Sequence, residues 1–234
     1  QQTVWMGDYG YVSVMPQIGE LKLLPKARAL SFEHGNEVSH PYYYSVLLNA
    51  GNDQKIKGEI AAASRAGIFR FTFPASEQAR FIIKGIDLNP ELADPSNDYG
   101  PMIKSIKGYV KIDRAKNEIT GYNPDRMSAQ IGPDRPNFKG YFVIQYDKKM
   151  ESFGTWDNAT VNPSSLEQLG TRMGAYINFK TKAGEVVTLR VGTSFISIEQ
   201  ARANMAKEIT GRSFEQVVTN TKNIWQKNLQ CMKP

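Results

Sequence analysis

Ile68-Phe69-Arg70-Phe71-Thr72-Phe73 is the stretch whose reading decides the fold. Side chains alternate across an extended strand, so Phe69, Phe71 and Phe73 share one face while Arg70 and Thr72 take the other. Three phenylalanines on one face need a second apolar layer to cover them. The same extended pattern recurs along the chain. Residues 42–48 are aromatic and β-branched after Pro41, and residues 55–60 alternate polar with apolar. Residues 79–88, 106–112, 140–146, 175–181 and 186–195 complete the set of predicted strands.

Turn chemistry separates these strands. Lys182-Ala183-Gly184-Glu185 supplies a glycine for a tight hairpin, and residues 113–117 supply Asp and Asn. Short strands joined by short polar turns, with few helices, predict a mainly β, antiparallel sandwich. Residues 89–101 and 122–138 carry the prolines and asparagines and read as long loops, where binding usually sits on a rigid sheet.

The period changes near residue 197. Ser197-Ile198-Glu199-Gln200 and Ser213-Phe214-Glu215-Gln216 both have the spacing of a capping box. Ile198, Ala201, Met205 and Ile209 line one helical face. Phe214, Val217, Val218, Thr221, Ile224, Trp225 and Leu229 line another after the break at Gly211. The chain thus divides into a sandwich over residues 1–196 and two amphipathic helices over 197–234. The second helical stripe either packs back on the sheet or connects to a further domain; periodicity alone leaves both open.

Composition excludes several classes. The 29 basic and 23 acidic residues give a net charge of +6 but are interspersed along the chain. The densest basic run, Lys104 to Lys116, alternates with Ile106, Tyr109, Val110 and Ile112, as on the wet face of a strand. With no aromatic and arginine motif of an RNA-binding sheet, a nucleic-acid role is not expected. No apolar run approaches the ~20 residues of a membrane helix. The single Cys231 forms no internal disulfide and no metal knuckle.

Catalytic signatures are equally sparse. His34-Gly35-Asn36-Glu37 has the outline of a metal motif but lacks the third ligand and the helix of a metalloprotease, so His34 and Glu37 read as a structural hydrogen-bonded pair. There is no Gly-x-Ser-x-Gly elbow and no phosphate-binding loop. Carboxylates are plentiful (Asp8, Glu33, Glu37, Glu59, Asp87, Asp125, Asp134), yet spacing alone selects no catalytic pair.

Five stretches go further when taken in order. They are Met6-Gly7-Asp8-Tyr9-Gly10 with Val14-Met15-Pro16; Ser31-Phe32-Glu33-His34-Gly35-Asn36-Glu37 with Pro41-Tyr42-Tyr43-Tyr44; Arg65-Ala66-Gly67 running into Phe73-Pro74; Ile119-Thr120-Gly121-Tyr122-Asn123-Pro124 with Gly140-Tyr141-Phe142-Val143 and Phe153-Gly154-Thr155-Trp156; and Gly174-Ala175-Tyr176 through Val191-Gly192-Thr193-Ser194, Arg202, Phe214 and Trp225. Together they resemble the N-terminal domain of glycoside hydrolase family 92, the calcium-dependent exo-α-mannosidases, from about residue 5 to residue 230.

The resemblance implies a large β-sandwich of the supersandwich type, then linker helices, then an (α/α)6 catalytic barrel absent from this sequence. It implies hydrolysis of terminal α-mannosidic linkages with inversion at a site between the two domains. The catalytic carboxylates and the calcium ligands belong to the barrel, so no catalytic or metal-binding residue and no hydrolysis are expected of this segment alone. The resemblance also implies that strands preceding this stretch are missing, leaving an apolar groove or a self-associating fragment. Trp5, Asp8 and Tyr9 are the candidates for the sugar-binding rim, since flat rings suit a pyranose and a carboxylate accepts sugar hydroxyls. The implied partners are an α-mannoside glycan and the barrel, and the implied location is the bacterial periplasm or the exterior, although no signal peptide is visible here. A free-standing carbohydrate-binding or structural sandwich is the alternative.

Overall fold

The computed structural model describes residues 12–87, 106–124 and 137–230, and its sheets are antiparallel throughout. The smaller sheet has five strands in the order β1 (Ser13–Ile18), β6 (Ser76–Asp87), β13 (Arg172–Thr181), β10 (Ser152–Asp157) and β11 (Thr160–Pro163). The larger has nine: β12 (Glu167–Gly170), β7 (Gly108–Asp113), β8 (Glu118–Asn123), β9 (Gly140–Tyr146), β14 (Glu185–Ser194), β5 (Ala66–Phe73), β4 (Gln54–Ala62), β3 (Tyr43–Gly51) and β2 (Ser31–His40). Among the described residues three helices accompany them: α1 (Pro25–Arg28), α2 (Ile198–Glu208) and α3 (Phe214–Leu229).

The alternation in β5 builds the sandwich. Phe71 and Phe73 point between the sheets and meet Phe81 of β6 and Phe179 of β13, with ring centroids 5.2–5.6 Å apart. Ile56, Ile83, Ile112, Ile119, Phe142, Ile144 and Leu189 pack into the same interior and are almost wholly buried. A fully buried side chain of this size contributes roughly 1.5–3 kcal/mol. The turns form as their residues dictate: Gly184 takes φ +74° between β13 and β14, and Asn117 takes φ 48° between β7 and β8. Asp113 Oδ1 accepts the backbone N–H groups of Ala115 and Lys116 in that second turn.

The other face of β5 is not wet. Ile68 packs with Ala61, Val143, Ala201, Met205, Phe214 and Val217 in a second buried layer beneath the two long helices. Helix α2 approaches β14 so closely that a Cβ at Gly192 would lie 2.3 Å from the Ala201 carbonyl oxygen and 2.7 Å from Met205 Cβ. Only glycine fits there. Arg202 of α2 clasps the buried Glu118 of β8 with two hydrogen bonds of 2.6 and 3.2 Å, and Gln145 Nε2 supplies a third of 3.1 Å.

Helix α3 is held through Arg70. Its guanidinium donates to both oxygens of Glu59 on β4 at 3.0 Å, to Glu215 at 2.6 Å, and lies 4.1 Å from the Phe214 ring centroid. Tyr43 and Lys57 donate to Glu59 as well. Burial opposes ionisation of Glu59, but the hydrogen bonds from Arg70, Tyr43 and Lys57 outweigh it and lower its pKa to about 2.

Three details differ from the sequence reading. Ser197 caps α2 by accepting from Gln200 N, but the Gln200 side chain turns to Asn204, so the reciprocal box forms only at Ser213. Residues 122 and 123 extend β8 instead of opening a loop, because Tyr122 and Asn123 pair with Tyr141 and Gly140. The apolar stripe of α3 divides: Phe214 and Val217 are buried, whereas Ile224, Trp225 and Leu229 are exposed beyond the sheet. Residues 89–101 and most of 122–138 lie outside the described residues.

Two outcomes follow from this packing. Between about pH 4.5 and pH 2 the unfolded chain binds the Glu59 proton and the folded chain does not, so stability falls as the pH is lowered through that window, by about 3 kcal/mol from this group. Glu59→Gln should therefore give a shallower acid limb in denaturant titrations at stepped pH. Gly192→Ala should cost about 1–3 kcal/mol by overpacking the α2 contact, read as a lower thermal midpoint.

Candidate functional site

The described residues form one large open cleft, of about 890 Å³, at the end of the nine-stranded sheet. Its walls are the β4–β5 turn, the ends of β9 and β14, and the first two turns of α2. The size suits a small organic ligand or part of a larger one. Val12, Ile60, Phe69 and Val191 make an apolar floor; Ser64, Arg65, Thr193, Ser194, Gln200 and Asn204 make a polar rim, with Tyr141 and Phe195 as its aromatic members.

The rim is rigid because its pieces are hydrogen-bonded to one another. The Arg65 carbonyl accepts from Thr193 N at 2.8 Å and from Thr193 Oγ1 at 3.0 Å, while Arg65 N donates to Glu208 Oε2 at 2.8 Å. Asn204 Nδ2 donates to the Thr193 carbonyl and Asn204 Oδ1 accepts from Gln200 Nε2, both at 2.9 Å. The backbone of Arg65 is thus pinned from two elements while its side chain is exposed at the cleft. No carboxylate lines the cleft among the described residues. Its chemistry is that of a binding surface, with hydroxyls, amides, a guanidinium and rings, and without the carboxylate pair that glycoside hydrolysis uses.

The carboxylates singled out in the sequence are otherwise engaged. Glu59 is committed to Arg70. Asp87 lies 3.0 Å from Arg172 Nε, 3.7 Å from Lys84 Nζ and 4.0 Å from Arg28 Nη2. Glu33 accepts from Asn36 at 3.3 Å. Asp8, Asp125 and Asp134 lie outside the described residues, as do the rim candidates Trp5, Asp8 and Tyr9. Val12, three residues after Tyr9 in the sequence, lines the cleft.

His34 and Glu37 are not among the cleft's lining residues; they sit on the edge strand β2, two strands from β4. His34 Nδ1 lies 2.9 Å from Glu37 Oε2, and Tyr44 of β3 donates to Glu37 Oε1. Hydrogen bonds from Tyr44 and His34 hold the Glu37 carboxyl below its ordinary range, while burial and the same Glu37 contact push Tyr44 up to about 12. Among the described residues no three His, Cys, Asp or Glu side chains come together to hold a metal ion. Nor is any described helix long and apolar enough to cross a membrane.

The cleft itself was not legible as a site. Arg65 sits in a hairpin turn, and Thr193, Gln200 and Asn204 straddle a strand-to-helix junction; nothing in their spacing announces that they meet. A second groove of about 510 Å³ runs between the β4–β5 turn and the two long helices, bordered by Lys207, Thr221, Ile224 and Trp225.

Residues 1–194 match the family model described as the glycosyl hydrolase family 92 N-terminal domain. A solved family GH92 inverting mannosidase from Bacteroides thetaiotaomicron superposes with a TM-score of 0.78 at 26% identity, over 94% of this chain and 26% of that one. A second α-mannosidase of the family from the same bacterium, solved with mannoimidazole, gives 0.73 at 27% identity, over 95% of this chain and 28% of that one. An uncharacterized secreted glycosidase of Arthroderma benhamiae is 22% identical over 96% of this chain. The chain spans only 29% of that relative's length. A family match over most of the chain, on a sandwich that superposes on two family members, establishes that this chain belongs to glycosyl hydrolase family 92, as its N-terminal domain.

Proposed function

We propose that this chain is the sandwich segment of an exo-α-mannosidase of carbohydrate metabolism, and that its cleft is the sandwich's share of the glycan-binding rim. The observation that carries the reading is the composition of the cleft: a hydrogen-bonded frame presenting Arg65, Tyr141, Gln200 and Asn204, with no carboxylate among its described lining. Such a wall orients hydroxyls and shields one side of a sugar. The proton-transfer groups then come from another part of the enzyme. In an inverting hydrolase one acid protonates the leaving oxygen while a base activates water, the two held ~6.5–9.5 Å apart.

A helical catalytic barrel is the partner this reading assigns. The exposed second half of α3, with Ile224, Trp225 and Leu229, supplies the apolar surface for it to pack against. Trp5, Asp8 and Tyr9 join the rim in this reading, since the strand that follows them borders the cleft at Val12. The resemblance to the calcium-dependent mannosidases assigns the calcium to the barrel, where it would bind through oxygen ligands and hold sugar hydroxyls. The secreted relative supports export of the protein to the periplasm or the exterior.

The test uses the longer enzyme carrying this segment. It should release mannose from α-mannosides with inverted configuration by NMR and lose activity on chelation of calcium, whereas the 234-residue chain alone should release none. Arg65→Ala and Asp8→Ala should each lower kcat/KM about tenfold, equivalent to 1.4 kcal/mol, with the thermal midpoint unchanged. Unchanged turnover in both variants would remove the rim assignment.

A further inference from the structure

A rank of directly opposed residues crosses the half of the nine-stranded sheet that neither long helix spans among the described residues, and leads into the cleft. Leu169 of β12 stands opposite Tyr109 of β7, Tyr109 opposite Tyr122 of β8, Tyr122 opposite Tyr141 of β9, and Tyr141 opposite Ser194 of β14. Residues paired in this way lie on the same face. That face is the outer one, because Thr120 and Val143, two positions from Tyr122 and Tyr141, pair on the side where α2 packs on Val143. Helix α2 lies mainly on β14 and β9, with its edge reaching β5 and β8, and α3 lies on β4 and β5, so among the described residues neither helix is seated on β7 or β12. At strand spacings of ~4.8 Å the rank is about 19 Å long.

Its chemistry is uniform. Ring centroids of Tyr109 and Tyr122 are 5.7 Å apart and those of Tyr122 and Tyr141 are 6.0 Å apart, and all three residues are half-buried. Lys139 Nζ lies 4.4 Å from the Tyr122 ring centroid. Tyr109 donates to Glu167 Oε2 at 2.6 Å. Tyr141 and Ser194 belong to the rank and to the cleft lining at once.

We propose that this rank is an extended subsite for the inner units of an α-mannoside chain whose terminal unit is presented at the cleft. The proposal takes its ligand class from the reading of the cleft as a glycan rim. An oligosaccharide has apolar C–H patches that lie on rings, and hydroxyls that need donors and acceptors beside them. The three central positions of the rank offer both: the outward carbon of three rings, and phenol, ammonium and carboxylate groups at their margins. Tyrosines also populate protein interfaces, so dependence on glycan length is the reading that separates the two occupants. The row also stabilises the sheet as cross-strand aromatic pairs do, so the test has to separate packing from binding.

The 234-residue chain, labelled with ¹⁵N, is titrated with α-linked manno-oligosaccharides of two to five units. Affinity should rise at least about tenfold from the disaccharide to the pentasaccharide. The pentasaccharide alone should shift the amides of β7 and β8. Tyr122→Ala should weaken the pentasaccharide about tenfold and leave the disaccharide unchanged. Should that variant not fold, Lys139→Ala, which removes a side chain lying over the ring and not one packed into the sheet, should weaken the pentasaccharide selectively. Affinity independent of length, or shifts confined to the cleft, overturns the proposal. Release of mannose from a short aryl α-mannoside by the longer enzyme reads the enzymatic assignment separately. Turnover without length-dependent binding removes the rank alone, and length-dependent binding without turnover removes the mannosidase reading alone.

Discussion

Arg70 is the residue on which the arrangement of sheet and helices turns. It sits on the strand whose other face carries the phenylalanine core, and it faces a layer where a bare cation would be costly. Glu59 answers that charge with a bidentate pair, Phe214 covers the guanidinium, and Glu215 takes the remaining donor at the first turn of α3. One strand is thus locked to its neighbour and to a helix 145 residues further along the chain. A buried ion pair of this kind is weak as a source of net stability but costly to break from one side, so it fixes an arrangement more than it drives folding. Glu118 with Arg202 repeats the device for α2. The two helices are consequently held in fixed positions over the sheet, and the cleft wall formed by α2 inherits that rigidity.

The cleft separates the groups that build it from the groups it presents. Its frame comes from backbone groups bonded to neighbouring elements, which leaves side chains free to meet a ligand. Carboxylates in the described part of the molecule are consumed by structure: Glu59 and Glu118 in helix anchoring, Asp87 among three cations, Glu37 between His34 and Tyr44. None is left facing the cleft. Acids committed to anchoring in this way hold strands and helices in register.

The sandwich was legible because β5, β6, β13 and β14 are long, apolar on one face and bounded by turn residues. The shorter strands were not. β10, β11 and β12 are rich in Gly, Thr, Ser and Asn, and their pairing is decided by neighbours, not by their own pattern. The helical stripes were visible at 3.6-residue spacing, but spacing cannot say where cover ends. Ile224 continues the pattern of Phe214 and Val217 although the sheet beneath has run out. The Ser213 box formed and the Ser197 box half formed because Asn204 offered Gln200 a competing acceptor one turn on. The cleft depends on Arg65 meeting residues near 193 and 208, contacts between distant parts of the sequence that no local pattern encodes.

The exposed margin at β2 has a consequence of a different kind. A ten-residue border strand of a nine-stranded sheet is a template on which another chain could polymerise. Here the ladder with β3 is interrupted, since residues 33–36 stand opposite Leu47 alone between the Phe32–Leu48 and Glu37–Val46 pairs. The irregular segment turns the exposed Glu33 and His34 outward where a further strand would need a flat ribbon, so the border is poorly shaped to template added pairing.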